Sequence, residues 1–351
     1  MIKELSIIAA TIKQNHPELN EKNICFTYLS CLLFDIELNK FFDDELLNLI
    51  APYFINFKTD ESKQDIHLLY EQFLSEYDKQ HQKNLGVWYT PQPIVNYMIN
   101  AAHHISLSKF NTSLDDKDNQ IIDPATGTGT FISTLLNTVS NPDIHAVEID
   151  PTSSQFAALN FFSKNKDNKI NLHTLNTLEG SLQLNKPEKL RIIIGNPPYN
   201  GSSKNSSKFI TELMETYKPD FNIGPGLNDD YIKFFRYAES LIQEVDKGML
   251  LFITNSSFIK SQAAQEMRKS LLNTFDEIYI INLNGNKNKE DKNVFNIKTE
   301  TCISILIKTN NKEKHSLAKV FYEDLIGSAE SKFEWLNNNP FKVEGVTNEE
   351  K

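Results

Sequence analysis

Residues 121–132 read Ile121-Ile122-Asp123-Pro124-Ala125-Thr126-Gly127-Thr128-Gly129-Thr130-Phe131-Ile132. A short apolar run ends in an acid, a glycine-rich turn follows, and a helical pattern starts near Thr130. Gly127 and Gly129 carry no Cβ, so the backbone can pass close to a ligand. The N–H groups at the start of the next helix aim at the same place. The third glycine of a dinucleotide G-x-G-x-x-G would fall at Ile132 and is absent, and no G-x-x-x-x-G-K phosphate loop occurs anywhere. An ordinary strand–helix turn fits this loop equally well until its neighbours are read.

The next apolar run, His145–Pro151 (HAVEIDP), places Glu148 at a strand end, nineteen residues past Gly129. An α/β nucleotide site puts the acid that binds both ribose hydroxyls at this spacing. Asp150, just before Pro151, suits the plainer role of capping the following helix. Further runs lie at Leu172–Thr174, Arg191–Ile194, Gly248–Thr254, Glu277–Leu283 and Thr301–Lys308, separated by helix-length intervals. This alternation predicts an α/β fold with a mostly parallel sheet and helices on both faces. Asn310–Lys351 offers one more strand, Ala318–Tyr322, and is too short for another domain.

Upstream, residues 1–80 read as helical, with apolar spacings of three and four in Ile24–Leu38 and Ile66–Phe73. They hold seven lysines and fourteen acids, a balance of −7 within the chain's total of −10. A general basic coat for nucleic acid is excluded, because a negative chain repels phosphate at long range. Charge this uneven nevertheless leaves the remainder near neutral. Among 351 residues, 40% hydrophobic and 23% charged side chains exclude wholesale disorder. Cys25, Cys31 and Cys302 form no C-x-x-C pair and leave one over, which points to a reduced, cytoplasmic protein without a disulfide framework or structural zinc. Neither a signal peptide nor a membrane span is legible.

After Arg191–Ile194 comes Gly195-Asn196-Pro197-Pro198-Tyr199. Two consecutive prolines past a buried strand fix the backbone and remove two N–H donors, leaving carbonyls to face outward. Asn196 adds a side-chain carbonyl and Tyr199 a flat aromatic face. Two acceptors beside an aromatic platform suit a planar group bearing an exocyclic NH₂. Hydrogen bonds to Asn196 and the Pro197 carbonyl would draw that nitrogen toward tetrahedral geometry and free its lone pair for attack on an electrophilic methyl.

In this order the motifs resemble the γ class of DNA adenine-N6 methyltransferases, and within it the methyltransferase part of the single-chain type ISP restriction–modification enzymes. The resemblance rests on Gly86–Pro91 (GVWYTP), Asp123–Gly129, Glu148, Asn176–Glu179 (NTLE) and Asn196–Tyr199, with Leu227–Arg236, Phe252–Phe258 and Asn293–Ile297 downstream. It implies a Rossmann-like sheet that uses S-adenosylmethionine as methyl donor, without a metal, on double-stranded DNA. Residue by residue, it implies that Tyr89, Thr90, Pro91, Asp123, Ala125, Gly127, Gly129, Glu148 and Asn176 bind the cofactor. Asn196, Pro197, Pro198 and Tyr199 would carry the reaction, and Tyr199 and Phe295 would stack on a base flipped from the duplex. Lys204, Lys208, Lys287, Lys289, Lys292 and Lys298 are candidate phosphate contacts; the segment 284–298 holds four lysines and two acids. No cysteine follows a proline, which argues against carbon-5 cytosine chemistry.

The expected division is a helical segment at 1–80, a catalytic domain at 81–310, and a C-terminal extension at 311–351 that begins a missing target-recognition region. A separate specificity chain is one expected partner. Two other readings stay open: a truncated or idle subunit serving a partner, and a protein-glutamine or RNA adenine methyltransferase. Protein-glutamine enzymes share N-P-P-Y and the glycine loop but lack the Tyr-Thr-Pro motif and the long insert before Phe252.

Overall fold

Strands such as Ile192–Ile194 show no polar alternation because both their faces are covered, as parallel strands between helices require. The computed structural model describes residues 1–34, 37–58, 69, 72–73, 76–77, 90–164, 170–201, 203–218, 227–285, 291–295, 297–311 and 316–343. The described elements run α1 (Ile2–Asn15), α2 (Glu21–Phe34), α3 (Asp44–Phe54), α4 (Gln92–Phe110), β1 (Asn119–Asp123), α5 (Thr130–Leu135), β2 (Asp143–Glu148) and α6 (Pro151–Lys164). They continue with β3 (Ile170–Thr174), β4 (Leu190–Gly195), α7 (Lys208–Met214), α8 (Asp230–Gln243), β5 (Gly248–Asn255), α9 (Gln265–Thr274), β6 (Glu277–Asn284), β7 (Thr301–Lys308), β8 (Lys319–Asp324) and α10 (Ala329–Asn338).

The eight strands form one sheet in the order β3-β2-β1-β4-β5-β7-β6-β8. β7 runs antiparallel to β5 and β6; the remaining pairings are parallel. One face sends Ile192, Ile194, Met249, Leu251, Ile303 and Ile305 against α4, α5 and α10. The other sends Ile193, Leu250, Phe252 and Leu306 against α7, α8 and α9. Alternate residues of a strand thus serve two cores, which fixes register because a one-residue slip would exchange them.

The helices α1–α3 gather their own apolar cluster around Leu5, Phe26, Ile50 and Phe54, and Phe156 of α6 completes it. Phe156 meets Phe26 edge-on, with centroids 4.5 Å apart. Beside them, Asn20 Nδ2 donates to Thr152 Oγ1 at 3.3 Å. Burying one such aromatic contributes about 1.5–3 kcal/mol, so Phe156 is a principal joint between the N-terminal helices and the sheet layer. The helix expected at Ile66–Phe73 lies largely outside the described residues.

The stretch after residue 310 differs from its expectation as an appended extension. Strand β8 pairs with β6 from Glu277↔Lys319 to Asn282↔Asp324, and Leu336 of α10, Phe341 and Val343 join the core under α4. Residues 318–343 are therefore built into the sheet and the helices packed on it. Among the described residues, no helix is long and apolar enough to cross a membrane.

Candidate active site

The strand order reverses between β1 and β4, and in open α/β sheets ligands bind outside the carboxyl ends of strands at such a point. Asp123, Glu148, Thr174 and Gly195 terminate β1, β2, β3 and β4 along that edge. The topology thereby assembles motifs that are scattered through the sequence.

The turn after β1 is pinned by hydrogen bonds from Thr126 N–H to the Val147 carbonyl and from Gly129 N–H to the Thr126 carbonyl, both 2.8 Å. Gly127 has φ +56° and Gly129 φ +89°, both left-handed conformations that favour glycine. The two glycines serve different needs. A Cβ on Gly129 would lie 2.6 Å from the Phe161 ring, so this glycine permits α5 to close on α6. A Cβ on Gly127 would meet nothing within 4 Å, so that side of the loop is open.

Gly127 N–H donates to Glu148 Oε2 and Asp150 N–H to Glu148 Oε1, each at 2.8 Å. Burial pushes the Glu148 carboxyl up to about 7, against the pull of those N–H groups. Asp123, fully buried, accepts from Ala125 N–H at 3.2 Å, and burial likewise pushes it up to about 7. Gly195 is the reason this carboxylate can reach β4: a Cβ there would stand 2.7 Å from Asp123 Oδ1.

Two apolar side chains missed by the sequence reading stand beside Glu148. Ile149 is 53% exposed and Leu175 40% exposed, and Leu175 N–H donates to the Glu148 carbonyl at 3.0 Å. Each extends the apolar pattern of its strand, so only its position beyond the covered sheet marks it as different. Asn176 follows directly. Its Oδ1 accepts from Leu178 N–H at 3.0 Å, and its Nδ2 donates to Glu179 Oε1 at 3.0 Å and Asn205 Oδ1 at 2.8 Å. Thr177 Oγ1 ties this turn to the Pro124 carbonyl of the first loop.

At the end of β4, Asn196 is held from both sides. Its Nδ2 donates to Thr90 Oγ1 at 3.0 Å, while Tyr199 Oη lies 2.8 Å from its Oδ1. Tyr199 Oη is also 3.2 Å from the Ile253 carbonyl, and its single proton goes preferentially to the nearer acceptor. Burial raises the Tyr199 hydroxyl well above 10, so it stays a neutral donor. Its ring is partly exposed and meets Tyr231 edge-on at 6.5 Å. Thr90 is buried, Pro91 precedes α4, and Tyr89 lies outside the described residues. Thus Thr90 of the upstream motif reaches the tetrad itself, a contact that linear spacing does not reveal.

Phe295 is not brought to this site. It is 7% exposed and packs in the core on the α4 and α10 face, whereas Tyr199 packs against the opposite face. The physical reason is that Asn293 Oδ1 accepts from Phe295 N–H and turns the segment inward. Of the candidate phosphate contacts, Lys204 and Lys208 are exposed beside the tetrad, while Lys287 and Lys289 lie outside the described residues.

The mostly parallel sheet, with a glycine loop after β1, a strand-end acid after β2 and an Asn-Pro-Pro-Tyr turn after β4, shares its fold with the solved structure of a putative class I S-adenosylmethionine-dependent methyltransferase from Listeria monocytogenes, 18% identical with a TM-score of 0.58 and covering 96% of this chain and 98% of that one. Residues 61–349 match the N-6 DNA methylase family, and the chain belongs to it. The type II methyltransferase M.HincII of Haemophilus influenzae is 25% identical over 210 residues, 58% of this chain and 35% of that protein. Among solved structures, the DrdV–DNA complex is 24% identical with a TM-score of 0.71, covering 97% of this chain and 43% of that one. The ATP-dependent type ISP restriction–modification enzyme LlaBIII bound to DNA is 22% identical with a TM-score of 0.64, covering 91% and 27%. The chain spans 28–35% of the length of the curated relatives it matches.

Proposed function

We propose that this chain carries the methyl-transfer part of a site-specific DNA adenine-N6 methyltransferase of a restriction–modification system. The observation that carries the reading is the Asn196 amide, fixed between Thr90 and Tyr199. It stands at the strand end next to the Gly127–Glu148 loop. The open side of Gly127 and the exposed Ile149 and Leu175 beside the Glu148 carboxylate suit an adenosine-bearing molecule. S-adenosylmethionine supplies an electrophilic methyl group on a sulfonium. Glu148 would accept from the ribose hydroxyls and Asn176 from the purine amine, with Ile149 and Leu175 offering apolar surface for the purine. Asp123, Ala125, Gly127 and Gly129 would hold the sugar and amino-acid portion, and the resemblance assigns Tyr89, Thr90 and Pro91 to the methionine portion.

Asn196 Oδ1 and the Pro197 carbonyl accept the two N–H groups of the target amine. This withdraws the nitrogen lone pair from the aromatic ring. Pro198 stiffens the turn, and Tyr199 offers its ring to the flipped base. Stacking contributes roughly 1–3 kcal/mol, of the order of the few kcal/mol that flipping costs. Positioning supplies most of the rate, since bringing donor and acceptor into line replaces a bimolecular encounter. Double-stranded DNA is the substrate, and a target-recognition region or separate specificity chain chooses the site.

The test is incubation with methyl-labelled S-adenosylmethionine and unmethylated DNA, followed by digestion to nucleosides. Label is expected in N6-methyladenine; label in cytosine, RNA or protein instead would overturn the proposal. Asn196→Ala should lower the rate at least about 100-fold, the scale of a lost transition-state contact, with cofactor affinity unchanged by calorimetry.

A further inference from the structure

Asn200, Ser203 and Asn205 lead from the tetrad toward Asn176, and each is held by Asp229, Asp230 or Lys233 at the start of α8. Asn200 N–H donates to Asp229 Oδ1 at 2.8 Å. Ser203 Oγ donates to Asp230 Oδ1, which also accepts from Asn205 Nδ2 at 2.8 Å. Lys233 Nζ donates to Ser203 Oγ at 2.8 Å and to the Asn205 carbonyl at 2.6 Å. Asp230 and Lys233 are only 5% and 6% exposed. Two charges buried to this degree cost desolvation, and here both are directed at polar atoms of Ser203 and Asn205.

The hydrogen bonds also have a direction. A carboxylate only accepts and an ammonium only donates. Asp230 therefore turns the amide nitrogen of Asn205 toward itself, which leaves Asn205 Oδ1 facing Asn176. That oxygen holds Asn176 Nδ2. With Leu178 N–H on its oxygen, Asn176 has its amide orientation set from both sides. The third partner, Glu179, is exposed, and its hydrogen bond competes with water.

We infer that Asp230, Lys233 and Asn205 are positioning residues that fix the Asn176 amide as a hydrogen-bond acceptor, so that the site selects a purine bearing a 6-amino group over one bearing a 6-oxo group. The inference rests on the cofactor assignment above. It adds that the selecting information originates on α8 and arrives through the loop that begins at the reacting tetrad.

The experiment compares binding of S-adenosylhomocysteine with its 6-oxo counterpart, S-inosylhomocysteine, by calorimetry on the full chain. Wild type is expected to favour the amino compound by about tenfold or more, the scale of one hydrogen bond lost against an unpaired group. Asn205→Ala should cut that ratio at least about threefold, with the melting temperature used to verify folding. Equal weakening of both compounds by Asn205→Ala would overturn the relay by marking a merely structural role. Wild type that binds neither compound would overturn the cofactor assignment and the relay with it, a result distinct from wild-type selectivity that survives Asn205→Ala.

Discussion

Asn196 has an amide with two unlike ends, and the fold commits both, one to Thr90 and one to Tyr199. Thr90→Val keeps the shape and removes the acceptor. The turnover rate should fall about 5–30-fold, the equivalent of one or two kcal/mol for a lost hydrogen bond, measured as initial rates at saturating S-adenosylmethionine. Glu148 gives a pH prediction. Its carboxyl is raised by burial to about 7, so the fold gains from the protonated form below the ordinary carboxylate range and loses that gain as pH rises through 7. Ribose hydroxyls favour the carboxylate. The rise in melting temperature on adding S-adenosylhomocysteine should therefore grow between pH 6 and 8, and Glu148→Gln should flatten that trend. At this scale the sequence was readable where a motif marks a strand end, as with Glu148 closing β2 and Asn196 just past β4. It was opaque where only the sheet face decides, as with Phe295, buried opposite Tyr199, and with Ile149 and Leu175, whose apolar character resembled strand interior.

Among elements, the joint between α2 and α6 makes the clearest claim. Phe156→Ala removes the ring that closes the α1–α3 cluster and should cost about 3–5 kcal/mol. Urea unfolding followed by circular dichroism measures this as a lower midpoint. The alternation of strand and helix was legible because parallel strands buried on both faces leave continuous apolar runs. The antiparallel entry of β7 between β5 and β6 was not, since a buried strand reads the same in either direction. Nor was the pairing of β8 with β6, because the polar Asn-Lys stretch before it suggested a boundary.

For the whole molecule, charge placement governs how DNA is approached. Of the net −10, −7 belongs to residues 1–80, so the sheet and its loops are close to neutral. The six candidate lysines near the tetrad and after Asn284 bound the number of phosphates that can be neutralised. At about 0.9 counterions per phosphate, the slope of log affinity against log salt should be no steeper than about −5.4. Fluorescence anisotropy across a salt series checks this, and a markedly steeper slope would require cations elsewhere.

Strand β8 ends the sheet, and along its outer edge Val320 is 55% and Tyr322 48% exposed. Lys319, Glu323 and Asp324 punctuate the same strand. Unpaired edges invite strands from other molecules, and charged side chains are the usual deterrent. Concentrated salt screens that deterrent while strengthening apolar association. Self-association of this chain is therefore expected to grow at high salt, and dynamic light scattering on Val320→Lys against the unchanged chain tests whether this edge contributes to it.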